Sequence, residues 1–367
     1  MSENAMQNTQ TAAQPRAAEK QPLLGMTMAG LEAAVKSLAM PRYAAKQVAQ
    51  WLYRHHVRDI GQMSNLSLRH RAALDEAFTV GAMPPTMAQE SQDGTVKYLF
   101  PTLSGHSVEA VFIPDGERAT LCVSCQVGCR MGCRFCMTGR QGFQGNLTAT
   151  DILNQIESLP QRERLTNIVF MGQGEPMDNL DAVLQATELL TADYAYAWSP
   201  RRITVSSVGI LEPVERFIRQ SQCHLAISLH NPFPDERLRM MPAEKACSLT
   251  RLIAMLRTYD WSHQRRLSFE YIVFDGLNDS QAHARELVRL LGQVACRINL
   301  IPFHQIPDSP YRGASPQKMV WLRDYLSQHG LTATIRSSRG QDIMAACGLL
   351  NTKAQHDALQ SPADEPI

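Results

Sequence analysis

Six short apolar runs punctuate the second half of the chain: NIVFMG (167–172), RITVSS (202–207), HLAISLH (224–230), SFEYIVF (268–274), RINLIPF (297–303) and TATIRSS (332–338). Each has the length of a strand. Between them lie five stretches of helical periodicity: Leu180–Leu190, Glu212–Arg219, Leu249–Tyr259, Ser280–Leu291 and Pro316–Gln328. Strands separated by helices in this rhythm form parallel βα units. Six such strands suffice for an open barrel but not for a closed one of eight. The expected fold class is therefore α/β, a partial (β/α)6 barrel. Two more strand-like runs, KYLF and SVEAVFIP, precede it between Lys97 and Pro114.

The first part of the chain reads differently. Residues 26–80 carry helical spacing (Leu31, Val35, Leu38; Val48, Trp51, Leu52; Leu74, Phe78), interrupted at Pro41 and near Ser64. A small N-terminal helical accessory domain is expected over 23–90, followed by a core over 91–350. The termini, 1–22 and 351–367, are polar and poor in large apolar side chains, so both are expected to be disordered. Arg42, Lys46, Arg54, Arg58, Arg69 and Arg71, interleaved with His and Trp51, suit an RNA-facing surface. They equally suit a solvated helix face, and the pattern does not choose. The formal charge of +1 neither demands nor excludes a nucleic-acid partner. There is no apolar run of membrane length and no signal-peptide core, so a cytoplasmic location without membrane contact is expected.

Nine cysteines, an odd number, do not suggest a disulfide scaffold. Five of them (Cys122, Cys125, Cys129, Cys133, Cys136) fall within fifteen residues, which marks this segment as the place to look for chemistry. Cys129-Arg-Met-Gly-Cys133-Arg-Phe-Cys136 is a CxxxCxxC spacing, expected on a loop after the strand Glu109–Ile113. Three thiolates can ligate three irons of a four-iron cluster and leave the fourth iron open to the amino and carboxylate groups of S-adenosylmethionine. A zinc site is the competing reading, with Cys122 or Cys125 as fourth ligand.

The segment RATLCVSCQVGCRMGCRFCMTGRQGF (118–143) resembles the dual-specificity rRNA/tRNA adenine carbon-2 methyltransferases. These are radical S-adenosylmethionine enzymes related to the carbon-8 methyltransferase of ribosomal antibiotic resistance. VFMGQGEPMDN (169–179), SLH (228–230), NLIPFH (299–304) and RGQDIMAACG (339–348) are similar to further blocks of that family, in the same order. The resemblance implies that Cys129, Cys133 and Cys136 hold a [4Fe–4S] cluster. It implies S-adenosylmethionine contacts at Gly174, Glu175, Ser206, Ser228, Leu229, His230 and His304. Cys347 corresponds to a cysteine methylated on sulfur, Cys122 to a resolving cysteine and Glu109 to a proton acceptor.

The implied route uses two S-adenosylmethionine molecules per turnover. One methylates Cys347; the other yields a deoxyadenosyl radical that activates this methyl group for addition to an RNA adenine. Cys122 then releases the product through a transient disulfide. The implied partners are rRNA and/or tRNA and an electron donor such as flavodoxin, with the protein acting as a monomer. Gln173, Cys125 and His304 stand where the family has Met, Ser and Asn, and VSSVG (205–209) lacks a second family serine. Carbon-8 selectivity therefore stays open as an alternative. A non-methylating iron–sulfur RNA-binding or assembly protein is a third reading. Retention of Cys122, Cys347 and Glu109 together argues against it.

Overall fold

Three helices, Met28–Ser37, Ala44–Tyr53 and Leu68–Ala77, occupy the N-terminal part of the chain. Thr27 and Ser67 cap the first and third through their side-chain oxygens. The computed structural model describes residues 20–261 and 265–351, so most of both expected tails lies outside the described residues. Ordered chain begins earlier than the expected boundary at 23: Gln21–Pro22 pairs in parallel with Phe78–Thr79, closing the helical unit on itself.

This unit is fastened to the core by polar contacts. Thr150 Oγ1 donates to Leu24 O at 2.6 Å and Gln185 Nε2 to Gly25 O at 2.7 Å. Arg54 donates to Asp193 O at 2.7 Å, and Arg58 to Ser158 Oγ at 2.9 Å and Glu157 O at 3.0 Å. Two of the basic residues read as candidates for RNA thus serve docking, and Arg42 pairs with Glu32 at 3.1 Å.

The core is a ten-stranded sheet whose strands lie side by side in chain order. We label them β1 (Met87–Glu90), β2 (Val96–Pro101), β3 (Ser107–Asp115), β4 (Arg118–Cys122), β5 (Asn167–Phe170), β6 (Ile203–Ser207), β7 (His224–Ser228), β8 (Leu267–Val273), β9 (Cys296–Pro302) and β10 (Thr332–Ile335). β1 to β4 are antiparallel, and β4 to β10 are parallel. Helices occupy every parallel crossover: Ala149–Glu157, Leu180–Thr191, Leu211–Gln220, Pro234–Met240 with Leu249–Leu256, Gln281–Leu291 and Pro316–Gln328. Unidirectional strand order with right-handed crossovers puts the helices on one face and curls the sheet, leaving the carboxyl ends of the strands as the mouth. β1 and β10 form the two edges, so the barrel is open, as expected.

Two placements correct the sequence reading. The core sheet begins at Met87 rather than 91, because β1 pairs with β2. The cysteine loop does not follow Glu109–Ile113 directly: β4 intervenes and carries Cys122 inside the sheet, paired with Val111 and Val169. Several apolar runs were also read too far at their carboxyl ends. Leu229 and His230, and Arg336 to Ser338, lie beyond the ladder, which ends at Ser228 and Ile335.

Candidate active site

The loop after β4 is held by a small antiparallel ladder, Gln126–Gly128 against Phe143–Asn146, and by a short helix, Met137–Gln141. Cys129 N donates to Gly142 O at 3.0 Å, and Arg134 N to Met240 O at 3.0 Å. The Arg130 guanidinium lies 3.9 Å from the Phe143 ring centroid and 2.8 Å from Asp178. Cys129, Cys133 and Cys136 line the wall of one cavity at the barrel mouth, of about 150 Å³. Burial pushes the Cys129 thiol up to about 12 and raises Cys133 and Cys136 as well; the nearby Cys136 adds to the rise at Cys129 and Cys133, and Cys347 to that at Cys136. Such a trio holds its protons until a cation displaces them.

Among the described residues no three His, Cys, Asp or Glu side chains converge as a mononuclear metal site. The thiols available for a fourth ligand face elsewhere. Cys125 is buried in the main core, and Cys122 packs with Val111, Ile343, Ala345 and Leu350. A cluster distributes three thiolates over three irons, so its ligands need to share a wall rather than a point. The observed arrangement fits a cluster better than zinc.

Opposite the thiols, the ends of β5 to β8 supply polar groups. Gly174 has φ +102°, and a Cβ there would sit 2.6 Å from Gln126 Cβ and 2.7 Å from Gln126 N, so only glycine fits. Gln126 Oε1 in turn accepts the Glu175 N–H at 2.9 Å. The Glu175 carboxylate accepts the N–H groups of Met177 (3.1 Å) and Val208 (2.9 Å). Burial raises it to about 7, opposed by hydrogen bonds from Ser207 and those two backbone groups. A buried carboxylate in this state favours a bound ammonium group.

Ser206 and Ser228 line the same cavity, as does His230. His230 adopts φ +53° and packs edge-on against Phe135, with ring centroids 5.0 Å apart. Its Nδ1 accepts the Ile272 N–H at 3.0 Å, so the neutral ring carries its proton on Nε2. Burial, with help from Arg237, lowers its basicity to about 3. Leu229 does not line the cavity. Its side chain is in the core, while its carbonyl accepts from Arg237 Nε at 3.0 Å. His304 lines a neighbouring cavity.

That second cavity is bounded by Ile113, Cys122, His304, Arg339 and the segment around Cys347. Cys347, Met171, Ile301 and Arg336 line both cavities and so form the partition between them. The strap bearing Cys347 crosses the mouth from one fixed point to another. At its start, Asp93 accepts the Gly340 N–H at 2.9 Å, Asp342 accepts Ser91 Oγ at 2.6 Å, and Arg339 pairs with Asp115 at 2.9 Å. At its end, Gly348 O accepts the Met137 N–H and Leu350 O accepts Thr138 Oγ1, both at 2.8 Å.

Four polar residues at the mouth escaped the sequence reading. Arg237 is fully buried and donates to the carbonyls of Leu229, Ser228 and Val208 and to the Glu244 carboxylate. Glu270 Oε2 and Arg336 Nη1 are 4.0 Å apart at the cavity floor. Lys97 lies 3.3 Å from Glu109 on the neighbouring strand, both nearly sealed from solvent. Lys97, Glu270 and Arg336 left a local trace, each as a charge in an apolar strand run, and Arg237 left none.

Residues 123–288 match the radical SAM superfamily, and residues 21–80 match the ribosomal RNA large subunit methyltransferase N-terminal domain. The chain is 58% identical to the probable dual-specificity RNA methyltransferase RlmN of Phocaeicola vulgatus, over 92% of this chain and 96% of that one. It is 42% identical to the dual-specificity RNA methyltransferase RlmN of Halorhodospira halophila, over 89% and 92% of the two chains. A crystal structure of a radical SAM methyltransferase from Sphaerobacter thermophilus superposes with a TM-score of 0.85 at 39% identity, covering 90% of this chain and 99% of that one. A mouth with three thiols on one wall, lying within a chain so similar throughout to these relatives, identifies the family: the protein belongs to the RlmN dual-specificity RNA methyltransferases, radical SAM enzymes whose cofactors are a [4Fe–4S] cluster and S-adenosylmethionine.

Proposed function

We propose that this protein methylates carbon 2 of an adenine in ribosomal RNA, transfer RNA or both, and that Cys347 carries the one-carbon unit to the base. The observation that carries this reading is the position of Cys347 in the partition, lining the cavity of the cluster thiols and the cavity of Cys122 at once. A thiol so placed can be loaded from one side and deliver to the other without leaving its strap.

Cys129, Cys133 and Cys136 would hold the cluster. Gly174, Glu175, Ser206, Ser228 and His230 would hold S-adenosylmethionine, with Leu229 acting through its backbone and His304 from the adjoining cavity. When bound, these cofactors supply the methyl group and the one-electron chemistry, two molecules of S-adenosylmethionine being used per turnover. The chain's own residues do the rest. Glu175 accepts hydrogen bonds from the ammonium end, and His230 Nε2–H donates into the cavity. Glu109 takes a proton from the attacked carbon. The Cys122 thiolate then attacks the Cys347 sulfur; the carbon–sulfur bond breaks with its electron pair on the product's methylene carbon, which takes up a proton to become the methyl group, and a disulfide remains between the two cysteines.

One chain supplies the whole site, which supports a monomer. Reducing the cluster calls for an external one-electron donor, and a flavodoxin-type carrier is the proposed one. No described helix is long and apolar enough to cross a membrane, and RNA as substrate supports a cytoplasmic location.

The test is anaerobic reconstitution, metal analysis and turnover on ribosomal and transfer RNA, with nucleosides read by mass spectrometry. Iron at cluster stoichiometry and 2-methyladenosine are expected. Stoichiometric zinc would defeat the cluster assignment, and 8-methyladenosine would replace the carbon-2 reading.

A further inference from the structure

Glu109 is the third residue of β3, on a strand that ordinarily exposes one face to water, yet it is completely buried. Its backbone is pinned on both sides. The Glu109 N–H donates to Gln173 Oε1 at 3.2 Å, and Ser124 Oγ donates to Glu109 O at 2.6 Å. The same Ser124 oxygen accepts the Gln173 N–H at 2.8 Å, which links β3 to the glycine-rich turn after β5. The carboxylate itself is treated differently. Its oxygens make no hydrogen bond of ordinary geometry, and the donors that face them are the Lys97 ammonium and the Asn351 backbone N–H. The group nearest in charge is the Lys97 ammonium, 3.3 Å from Oε1 and 6% exposed.

The register explains the meeting. On adjacent antiparallel strands Glu109 pairs with Leu99 and Val111 with Lys97, so Lys97 reaches Glu109 diagonally on one face of the sheet. That face is roofed by the Cys347 strap through Ile343, Ala345 and Leu350, which pack on Val111 and Cys122. Burying a lysine here without function would be unfavourable, because two desolvated charges seldom stabilise a fold better than an apolar pair.

We propose that Lys97 is the positioning residue of Glu109, aiming its carboxylate and keeping it ionised beneath the strap so that it can accept the proton lost from the RNA base. This rests on the reading of Glu109 as the base. In the step itself the C–H bond at the attacked carbon breaks, its electron pair stays with the ring, and its proton passes to a Glu109 oxygen. Lys97 remains an ammonium throughout. A lone carboxylate in this position would hold a proton already and could not take another.

The charge balance around Glu109 agrees. Burial raises it, while Lys97 and the backbone N–H of Asn351 oppose the rise. Lys97 comes from β2, Cys122 is the titratable neighbour on β4, and the strap brings the apolar side chains of Ile343, Ala345 and Leu350 and the Asn351 backbone N–H, with Cys347 and Arg336 beyond Cys122.

The experiment compares the full chain with Lys97→Met, Lys97→Arg and Glu109→Gln. The first readout is a difference infrared titration, with the carboxylic-acid band of Glu109 identified by its loss in Glu109→Gln. In Lys97→Met that band should persist to a pH about one unit or more higher than in the unmodified protein, and Lys97→Arg should restore the original midpoint. The second readout is the pH profile of single-turnover RNA methylation by reconstituted enzyme. Its acid limb should move up with the infrared midpoint, giving about a tenfold loss at neutral pH that alkaline pH repairs. An unmoved infrared midpoint overturns the role of Lys97. A moved midpoint with an unmoved rate profile overturns instead the reading of Glu109 as base. Should Lys97→Met fail to fold, Lys97→Gln takes its place with the same expectations.

Discussion

The Glu175 carboxylate accepts the Val208 N–H at 2.9 Å and so joins the turn after β5 to the end of β6. The contact fixes one oxygen, while the 3.1 Å bond from Met177 fixes the other. The charge is thereby aimed without being neutralised by a cation. Glu175→Gln keeps the shape and removes the charge, and a hydrogen bond to a charged group contributes about 1.5–3 kcal/mol. We expect S-adenosylmethionine affinity to fall by about tenfold to a hundredfold, with cluster iron content unchanged. Equilibrium binding on reconstituted protein measures it, and an unchanged dissociation constant would remove Glu175 from the site.

Cys122 and Cys347 reach one cavity from different elements, β4 and the strap. Cys122→Ala should trap RNA covalently attached through Cys347, visible as a slow-migrating species on denaturing gels. Cys347→Ala should neither crosslink nor methylate while binding iron normally. Crosslinking by Cys347→Ala would place the carrier on another residue.

The barrel was legible because its strands are buried on both faces and read as near-continuous apolar runs, while the intervening helices keep their own period. β4 was not legible: RATLC begins with a charge and holds a threonine, since one end of the strand is at the surface. β1 (MAQE) is a mostly exposed edge strand and carries no apolar alternation. In the site, glycine-bearing and cysteine-bearing blocks could be found because their chemistry demands fixed spacing. Arg237 and Lys97 could not. Their meaning comes from partners such as Glu244 and Glu109, seven and twelve residues away, and from burial that only the folded sheet creates.

His230 gives a pH signature that does not require turnover. Burial, assisted by Arg237, lowers its basicity from 6.5 to about 3. The unfolded chain therefore binds a proton in the window between these values that the folded chain refuses. The stabilising contribution is complete above about pH 6.5 and declines as pH falls toward about 3. Between pH 6.5 and 5 the loss attributable to this group is roughly 2 kcal/mol. Denaturant unfolding at the two pH values, in the unmodified chain and in His230→Gln, should show the acid loss shrinking in the variant. An equal loss in both would mean that His230 is already protonated in the fold.

Arg237 and Glu244 form a buried pair whose remaining donors are taken by the carbonyls of Val208, Ser228 and Leu229, the backbone that frames the cavity. Removing one partner strands the other charge out of water, an effect of about 3–5 kcal/mol. Arg237→Met should therefore lower unfolding free energy by about that amount. Arg237→Met combined with Glu244→Gln should recover part of it, since the uncompensated carboxylate is gone. The carbonyls stay unsatisfied in both variants, so S-adenosylmethionine binding should remain weakened even where stability returns. Full recovery of binding in the double variant would show that the guanidinium serves only to neutralise Glu244 and does not shape the β6 and β7 ends.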